Sequence, residues 1–247
     1  MTVDEPALAG KAVIVTGSTS GIGAAIARHF ARHGAGVVLN SVRSTDAGEA
    51  LAAELPDAVY VQGSIAEPGV PQRLVDAALD RWGRLDVLVN NAGTTRSIPH
   101  HDLDAASLDV WREIFETNVF GTWEMTRVAA PHLTEQQGNV VMITSLAGVR
   151  QVGSSVPYAA SKAALNHLTA LLANALGPGL RVNAVAPGLV ETPWTEDWGP
   201  LHEAVGALAP MRRSAVPEDL VDVALVLATN TYLTGQVIVV DGGFGLR

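Results

Sequence analysis

The chain has 247 residues, 48% of them hydrophobic and 17% charged, a size and balance that suit one sizeable domain with its own core. Its 16 basic and 25 acidic residues leave a net charge of -9, which argues against nucleic acid or an anionic membrane as a partner. There is no cysteine, so disulfides, thiolate chemistry and cysteine-held metals are excluded. The opening MTVDEPALAG lacks the basic and apolar regions of a secretory signal, and no uncharged apolar run reaches membrane-spanning length. The expectation is a cytoplasmic protein forming one domain over residues 1–247.

Lys11-Ala-Val-Ile-Val-Thr16 is a short apolar run of the kind buried on both faces of a parallel sheet. Gly17-Ser18-Thr19-Ser20-Gly21-Ile22-Gly23 follows it. Ile22, Ile26 and Phe30 then recur at the spacing of a helix packing one face, which Gly34 ends. A strand, a glycine turn and a helix N-terminus make an anion site: free N–H groups and the helix dipole face a phosphate, and glycine lets it approach. The second strand ends in Asn40-Ser41-Val42-Arg43-Ser44, with no acid before Asp46. In a dinucleotide site an acid here selects a free ribose 2′-hydroxyl, and its absence beside an arginine tolerates a 2′-phosphate. Asn40, Ser41 and Arg43 therefore predict NADP(H), with NAD(H) as the alternative.

Helix 46–55, strand 58–62, helix 71–82 and strand 85–90 alternate as right-handed βαβ units do. The last of these ends in Asn90-Asn91-Ala92-Gly93, at the carboxyl end where open sheets bind ligands. His100 and His101 read as surface loop residues, with no further ligand at metal spacing. A long helix is predicted over 108–133, with Leu108, Trp111, Phe115, Asn118, Thr122 and Met125 on one inward stripe. Asparagine there runs against helix propensity, which marks Asn118 as a functional candidate.

The segment from Gly138 to Gly177 carries the chemistry. It reads as a strand over 139–144, a polar corner with Ser145, and a helix from about Pro157 that Ser154 or Ser155 caps and Gly177-Pro178 stops. Tyr158 and Lys162 stand at i and i+4, so they share a face. An ammonium beside a phenol favours the phenolate, and a tyrosine so tuned exchanges a proton with an alcohol oxygen near neutral pH. Ser145 is placed to hydrogen-bond the same oxygen. Lys11 and Lys162 are the only lysines in a chain that otherwise uses arginine, which suggests a need for a compact, shiftable charge. Beyond a strand over 180–186, residues 190–215 read as an irregular cover carrying Trp194 and Trp198. A helix over 217–228 and a strand over 236–240 close the chain before Asp241-Gly242-Gly243.

Taken in order and over essentially the whole length, these motifs resemble the short-chain dehydrogenase/reductase family, nearest its 3-oxoacyl-[acyl carrier protein] reductase branch and small-ketone relatives. The resemblance implies an α/β fold: a single-domain, Rossmann-type, doubly wound parallel sheet of seven strands with helices on both faces. It implies cofactor contacts from Gly17, Ser18, Thr19, Ser20, Gly21 and Ile22, from Ser64 and Ile65 after the third strand, and from Asn91, Ala92 and Gly93. Pro187, Gly188, Val190 and Thr192 match the loop beside the nicotinamide.

Asn118, Ser145, Tyr158 and Lys162 match the catalytic tetrad. Tyr158 would move the proton, Ser145 polarise the carbonyl oxygen, Lys162 lower the tyrosine pKa and hold the ribose, and Asn118 anchor a water. A homotetramer or dimer through the two long helices is implied too. Carrier-protein reductases tend to place arginines on the long-helix surface, and 128–139 and 171–180 hold none. With a net charge of -9 this argues for a free small ketone or secondary alcohol rather than an acyl carrier protein. Two alternatives are an NAD-dependent dehydrogenase of a polyol, sugar or other secondary alcohol, and a catalytically silent nicotinamide sensor.

Overall fold

β1 (Ala12–Val15) is buried along its whole length because both of its faces are covered. Val13 and Val15 point into one core with Ile26 and Phe30, while Ile14 points into the other with Leu74, Leu88 and Met125. Two helical layers thus sandwich the sheet, and each fully buried large aliphatic side chain adds about 1.5–3 kcal/mol. The structure, a computed structural model, describes residues 6–246.

The strands are β1, β2 (Gly36–Ser41), β3 (Ala58–Gln62), β4 (Val87–Asn90), β5 (Asn139–Ile143), β6 (Arg181–Pro187) and β7 (Val237–Val240). They form one seven-stranded parallel sheet in the order β3-β2-β1-β4-β5-β6-β7. The order reverses between β1 and β4, and the cleft outside their carboxyl ends is where such a sheet binds ligands. α1 (Gly21–Arg32), α2 (Thr45–Glu54) and α3 (Val70–Trp82) make the first crossovers.

The long helix differs from its prediction. It begins as α4 (Leu108–Phe115), widens into a π-helical turn over Glu116–Gly121, and resumes as α5 (Thr122–Glu135). Such turns add a residue and turn the following face, and they concentrate at functional sites. Asn118, Thr122 and Met125 therefore face inward as predicted, whereas Leu108 is 71% exposed and Ile114 takes the buried place. A further contact fixes the turn from outside, since a Cβ on Gly121 would lie 2.9 Å from the Ile65 side chain.

α6 (Val156–Leu176) starts at Ser155, whose hydroxyl accepts the Tyr158 N–H at 3.4 Å. Of the two predicted caps only Ser155 serves; Ser154 turns elsewhere. Residues 190–215 are not an irregular cover. Val190 bridges Ala215, Pro193–Thr195 form a single 3-10 turn, and Gly199–Leu208 form a helix, α7. This helix starts on Gly199-Pro200 and buries only Val205, so it left no apolar period to read. α8 (Glu218–Thr229) packs beside α1 and leads to β7 at the sheet edge. No helix among the described residues is long and apolar enough to cross a membrane.

Candidate active site

A cavity of about 870 Å³ opens over the carboxyl ends of β1, β4, β5 and β6. Its floor is the glycine turn after β1. Gly17 has φ +61°, and a Cβ on it would lie 2.9 Å from the Ala92 backbone. Gly21 has φ +52°, and a Cβ there would lie 3.1 Å from the Thr192 side chain. Only glycine meets both demands, and the result is bare backbone facing the cavity. Thr19, Ser20 and Ile22 line it as well. Ser20 makes no side-chain cap, so the first N–H groups of α1 keep their free valence and dipole for an anion.

The β4 end is sutured to this turn. The Asn91 side-chain amide donates to the carbonyls of Thr16 and Gly17, both at 2.9 Å, and the Thr16 hydroxyl accepts the N–H groups of Asn91 and Ala92 at 3.0 Å. Asn91, Ala92 and Gly93 reach the cavity wall, as do Pro187, Gly188, Val190 and Thr192 from beyond β6.

The remaining cofactor candidates lie elsewhere. Ser18 is fully buried and exchanges hydrogen bonds with the Asn40 backbone, its N–H donating at 2.8 Å and its hydroxyl accepting at 2.9 Å. The Asn40 side chain holds the carbonyls of Val61 and Gly63 and accepts from the Gly17 N–H, so it braces the loop rather than facing the cavity. Ser41 is buried and pairs with the Tyr60 hydroxyl at 2.8 Å. Ser64 takes the Ala66 N–H in a local turn, and Ile65 is a core residue. Arg43 is exposed and makes no ion pair or hydrogen bond among the described residues. Bare backbone at a helix start, at the switch point of the sheet, fits the pyrophosphate of a nicotinamide dinucleotide.

On the opposite side of the turn, Ser145, Tyr158 and Lys162 share the cavity wall. Ser145 follows β5, where its hydroxyl accepts the Ala147 N–H at 3.1 Å. Lys162 is only 4% exposed; its ammonium donates to the Ile143 carbonyl at 2.9 Å and lies 5.8 Å from the Tyr158 ring centre. Burial pushes its pKa down from 10.5 to about 8. Burial raises the Tyr158 phenol, and the Ser145 hydroxyl alone works against it. The Lys162 ammonium, which the resemblance has lowering the phenol, spends one of its three N–H donors on the strand carbonyl here.

Asn118 sits behind the wall, fully buried. Its side chain accepts the Thr94 N–H at 2.7 Å and donates to the Thr94 carbonyl and the Ser161 hydroxyl, each at 3.0 Å. Ser161 in turn donates to the Tyr158 carbonyl at 2.7 Å. Sequence reasoning passed over Ser161, though it stands one turn beyond Tyr158 and next to Lys162 on α6. His100, read as a surface residue, is exposed but lines the cavity mouth and meets the Gly153 carbonyl at 3.0 Å. Phe244 reaches the same cavity from the C-terminal turn, whose carbonyl at Gly245 takes Arg150 at 2.9 Å. Among the described residues no cluster of three histidine or acidic side chains is placed to hold a metal ion.

A doubly wound parallel sheet, an anion cradle at its switch point and an alcohol-phenol-ammonium trio beside it define a nicotinamide-dependent oxidoreductase. Residues 17–245 match the family model described as enoyl-(acyl carrier protein) reductase, and the chain belongs to the short-chain dehydrogenase/reductase family. Enzymes of this family use NAD(P) and act on CH–OH/C=O groups. The chain is 53% identical over 234 residues to a Streptomyces violaceoruber protein assigned as ketoacyl reductase 2 of the granaticin polyketide synthase, covering 93% of this chain and 94% of that one. It is 36% identical over 247 residues to the L-fucose dehydrogenase of Bos taurus, covering 95% and 89% of the two. The crystal structure of a glucose/ribitol dehydrogenase-type member from Brucella melitensis superposes with a TM-score of 0.91 at 28% identity, covering 97% of this chain and 98% of that one.

Proposed function

We propose that this enzyme is an NADPH-dependent ketoreductase acting on a free, small-molecule ketone. The observation that carries the reading is the shared wall of Ser145, Tyr158 and Lys162 in a cavity whose other sides are mainly apolar. The dinucleotide's chemistry, once it is bound, is hydride donation in reduction and hydride acceptance in oxidation. The Gly17–Ile22 turn holds its pyrophosphate, Lys162 its ribose hydroxyls, and Pro187, Gly188, Val190 and Thr192 flank the nicotinamide.

The protein's own groups manage the oxygen and its proton. Ser145 donates a hydrogen bond to the carbonyl oxygen and orients it. Tyr158 gives that oxygen its proton in reduction and takes it back in oxidation. Burial keeps the phenol protonated at neutral pH, which suits a general acid. Lys162 braces the strand end that carries Ser145, and its charge, 5.8 Å from the Tyr158 ring centre, favours the developing oxyanion. Asn118 fixes the Thr94 backbone and, through Ser161, the first turn of α6.

Arg43, exposed and unpaired, with no acid at the end of β2, supports NADPH. The reading as an NAD-dependent alcohol dehydrogenase rests on the likeness to L-fucose dehydrogenase and on the absence of any contact fixing Arg43 in place. A free substrate, rather than one on an acyl carrier protein, is supported by the outer helix face. Its Arg112 and Arg127 are already paired with Asp109 and Glu124 one turn away. That face also exposes Leu108, Phe120 and Trp123, which supports a homotetramer or dimer through the long helices.

The test is consumption of NADPH and NADH, side by side, on an acetoacetyl thioester, diketones, cyclic ketones and keto-sugars. Faster NADPH consumption on a ketone is the expected result. Oxidation of sugars or polyols with NAD, and no ketone reduction, would overturn it in favour of the dehydrogenase.

A further inference from the structure

Among the hydroxyls outside the tetrad that line the same cavity, those of Thr95 and Ser154 form a pair. Their oxygens lie 2.6 Å apart. Two hydroxyls bring two protons and four lone pairs, and one proton is used between them. For the other, Thr95 has only the Arg96 carbonyl at 3.4 Å, which is long for an O–H donor. The pair therefore presents one proton and spare lone pairs to the cavity.

The two positions are held by the groups that hold the reacting ones. Thr94, next to Thr95, is clamped on both sides by Asn118. The Ile98 N–H donates to the Ser154 carbonyl at 2.7 Å, joining the two loops. Ser155, next to Ser154, caps the helix that carries Tyr158. A ligand oxygen on this pair thus has a fixed relation to the Ser145–Tyr158 corner.

The wall is mainly apolar, with Ile98, Val152, Trp194, Trp198 and Phe244, and Ser97 and His100 add polar groups from the loop that carries Thr95. Among the described lining residues there is no arginine, aspartate or glutamate, and the ionisable ones are Lys162, Tyr158 and His100. Among the described lining residues a cationic substituent finds no counterion, the buried cation is the Lys162 ammonium of the reacting corner, and aromatic walls favour a flat ring. The pair is half-buried, and a ring entering the cavity takes its free donor out of water, so a site built this way favours the ligand that supplies an oxygen. Resting on the ketoreductase reading, we infer that Thr95 and Ser154 form a substrate subsite for a second oxygen, hydroxyl or carbonyl, on a neutral and otherwise apolar ring ketone.

The experiment compares 2-tetralone with its ring-hydroxylated isomers. At least one hydroxylated isomer is expected to exceed the parent in kcat/KM by about tenfold or more. The same ratio is expected in dissociation constants measured by calorimetry on protein holding oxidised cofactor, which cannot turn a ketone over. Thr95→Val and Ser154→Ala bring both ratios to about one, and Thr95→Ser, which keeps the hydroxyl, preserves them. Equal kcat/KM for parent and all isomers, or ratios unmoved in both variants, would overturn the subsite and leave the ketoreductase standing. Reduction of an acetoacetyl thioester without any tetralone would overturn the ring-ketone class. No reduction of any ketone would overturn the functional reading itself.

Discussion

The ammonium of Lys162 donates a 2.9 Å hydrogen bond to the carbonyl of Ile143, the last residue of β5. Ser145 follows two residues later, so a side chain of α6 braces the strand end that presents the serine.

That bond sits inside the protein, and the buried charge destabilises the fold. In the unfolded chain the lysine titrates at 10.5; in the folded one, at about 8. Between those values the unfolded state holds a proton that the folded state has released, so stability from this residue rises with pH. Below about 8 both states are charged, and the native state carries the full desolvation cost. Lys162→Met keeps the volume without the charge. It is expected to abolish turnover yet stabilise the protein at pH 7 by on the order of 2 kcal/mol, less the lost hydrogen bond. The gain shrinks as pH rises from about 8 toward 10.5. Thermal unfolding of both proteins at pH 7 and pH 9.5 checks this, and equal melting temperatures at pH 7 would contradict it.

Tyr158→Phe removes one oxygen and little else, because the residue's N–H still meets Ser155 and its ring still stands edge-on to Trp194 at 6.4 Å. Turnover is expected to fall by about a thousandfold. Cofactor affinity, read by nucleotide fluorescence, stays within about twofold in this variant. Ser145 is the group that favours the ionised phenol, so Ser145→Ala raises the phenol further. The basic limb of its residual pH-rate profile moves to higher pH. Full turnover in the phenylalanine variant, or a basic limb that moves down in the alanine variant, would refute these roles.

Much of this architecture was legible in the sequence because the rules of burial are strong. The alternation of Val13, Ile14 and Val15 between two cores follows from a strand covered on both faces, and the chain order of strands and helices follows from its turns. Tyr158 and Lys162 were legible as neighbours by helical period. The π-helical turn at Asn118 was not, because no propensity distinguishes an added residue in a helix from an ordinary one. Its signal was indirect: a stripe that held at Thr122 and Met125 failed at Leu108. α7 was hidden because a helix that buries one residue has no period to show. Thr95 and Ser154 stand 59 residues apart, and only the fold brings two ordinary loop hydroxyls together.

Ser161 makes the same point about a residue no motif singled out. Its hydroxyl receives from the Asn118 amide at 3.0 Å and gives to the Tyr158 carbonyl at 2.7 Å, linking the π turn to α6. In Ser161→Ala the Asn118 amide keeps the Thr94 carbonyl but loses a fully buried partner. Stability is expected to fall by about 1–2 kcal/mol. Turnover should fall several-fold with KM for the ketone little changed, since Asn118 orients the site without touching substrate. Ser161→Thr restores the hydroxyl and is expected to recover most of kcat. A loss of stability with no change in kcat would make Ser161 merely structural.

The other lysine, Lys11, serves the amino ends of the sheet's central strands. There the Asp86 side chain, 5% exposed, accepts from Arg84 at 2.6 and 2.7 Å, from the Ala12 N–H at 3.0 Å and from Lys11 at 3.1 Å. Its backbone carbonyl takes the Asn139 N–H at 2.9 Å, so one residue ties the starts of β1, β4 and β5. Burial opposes its charge, but hydrogen bonds from Arg84, Ala12 and Lys11 outweigh burial and hold the carboxyl below its ordinary 3.8. The stabilisation is therefore complete above 3.8 and is lost as pH falls through the lower, folded value. Asp86→Ala leaves the buried Ala12 N–H without its acceptor while the part-exposed Lys11 and Arg84 turn to water, and is expected to cost about 1–3 kcal/mol at pH 7. Asp86→Asn, which keeps the shape and some hydrogen bonds, costs less. Denaturant titrations from pH 7 down to pH 3 should show the wild type losing its advantage over Asp86→Asn at the acid end. Because these amino ends lie away from the cavity at the carboxyl ends, kcat of the folded Asp86→Asn protein at 25 °C is expected to match that of the wild type. An advantage that does not change with pH would show that Asp86 stabilises by shape rather than by charge.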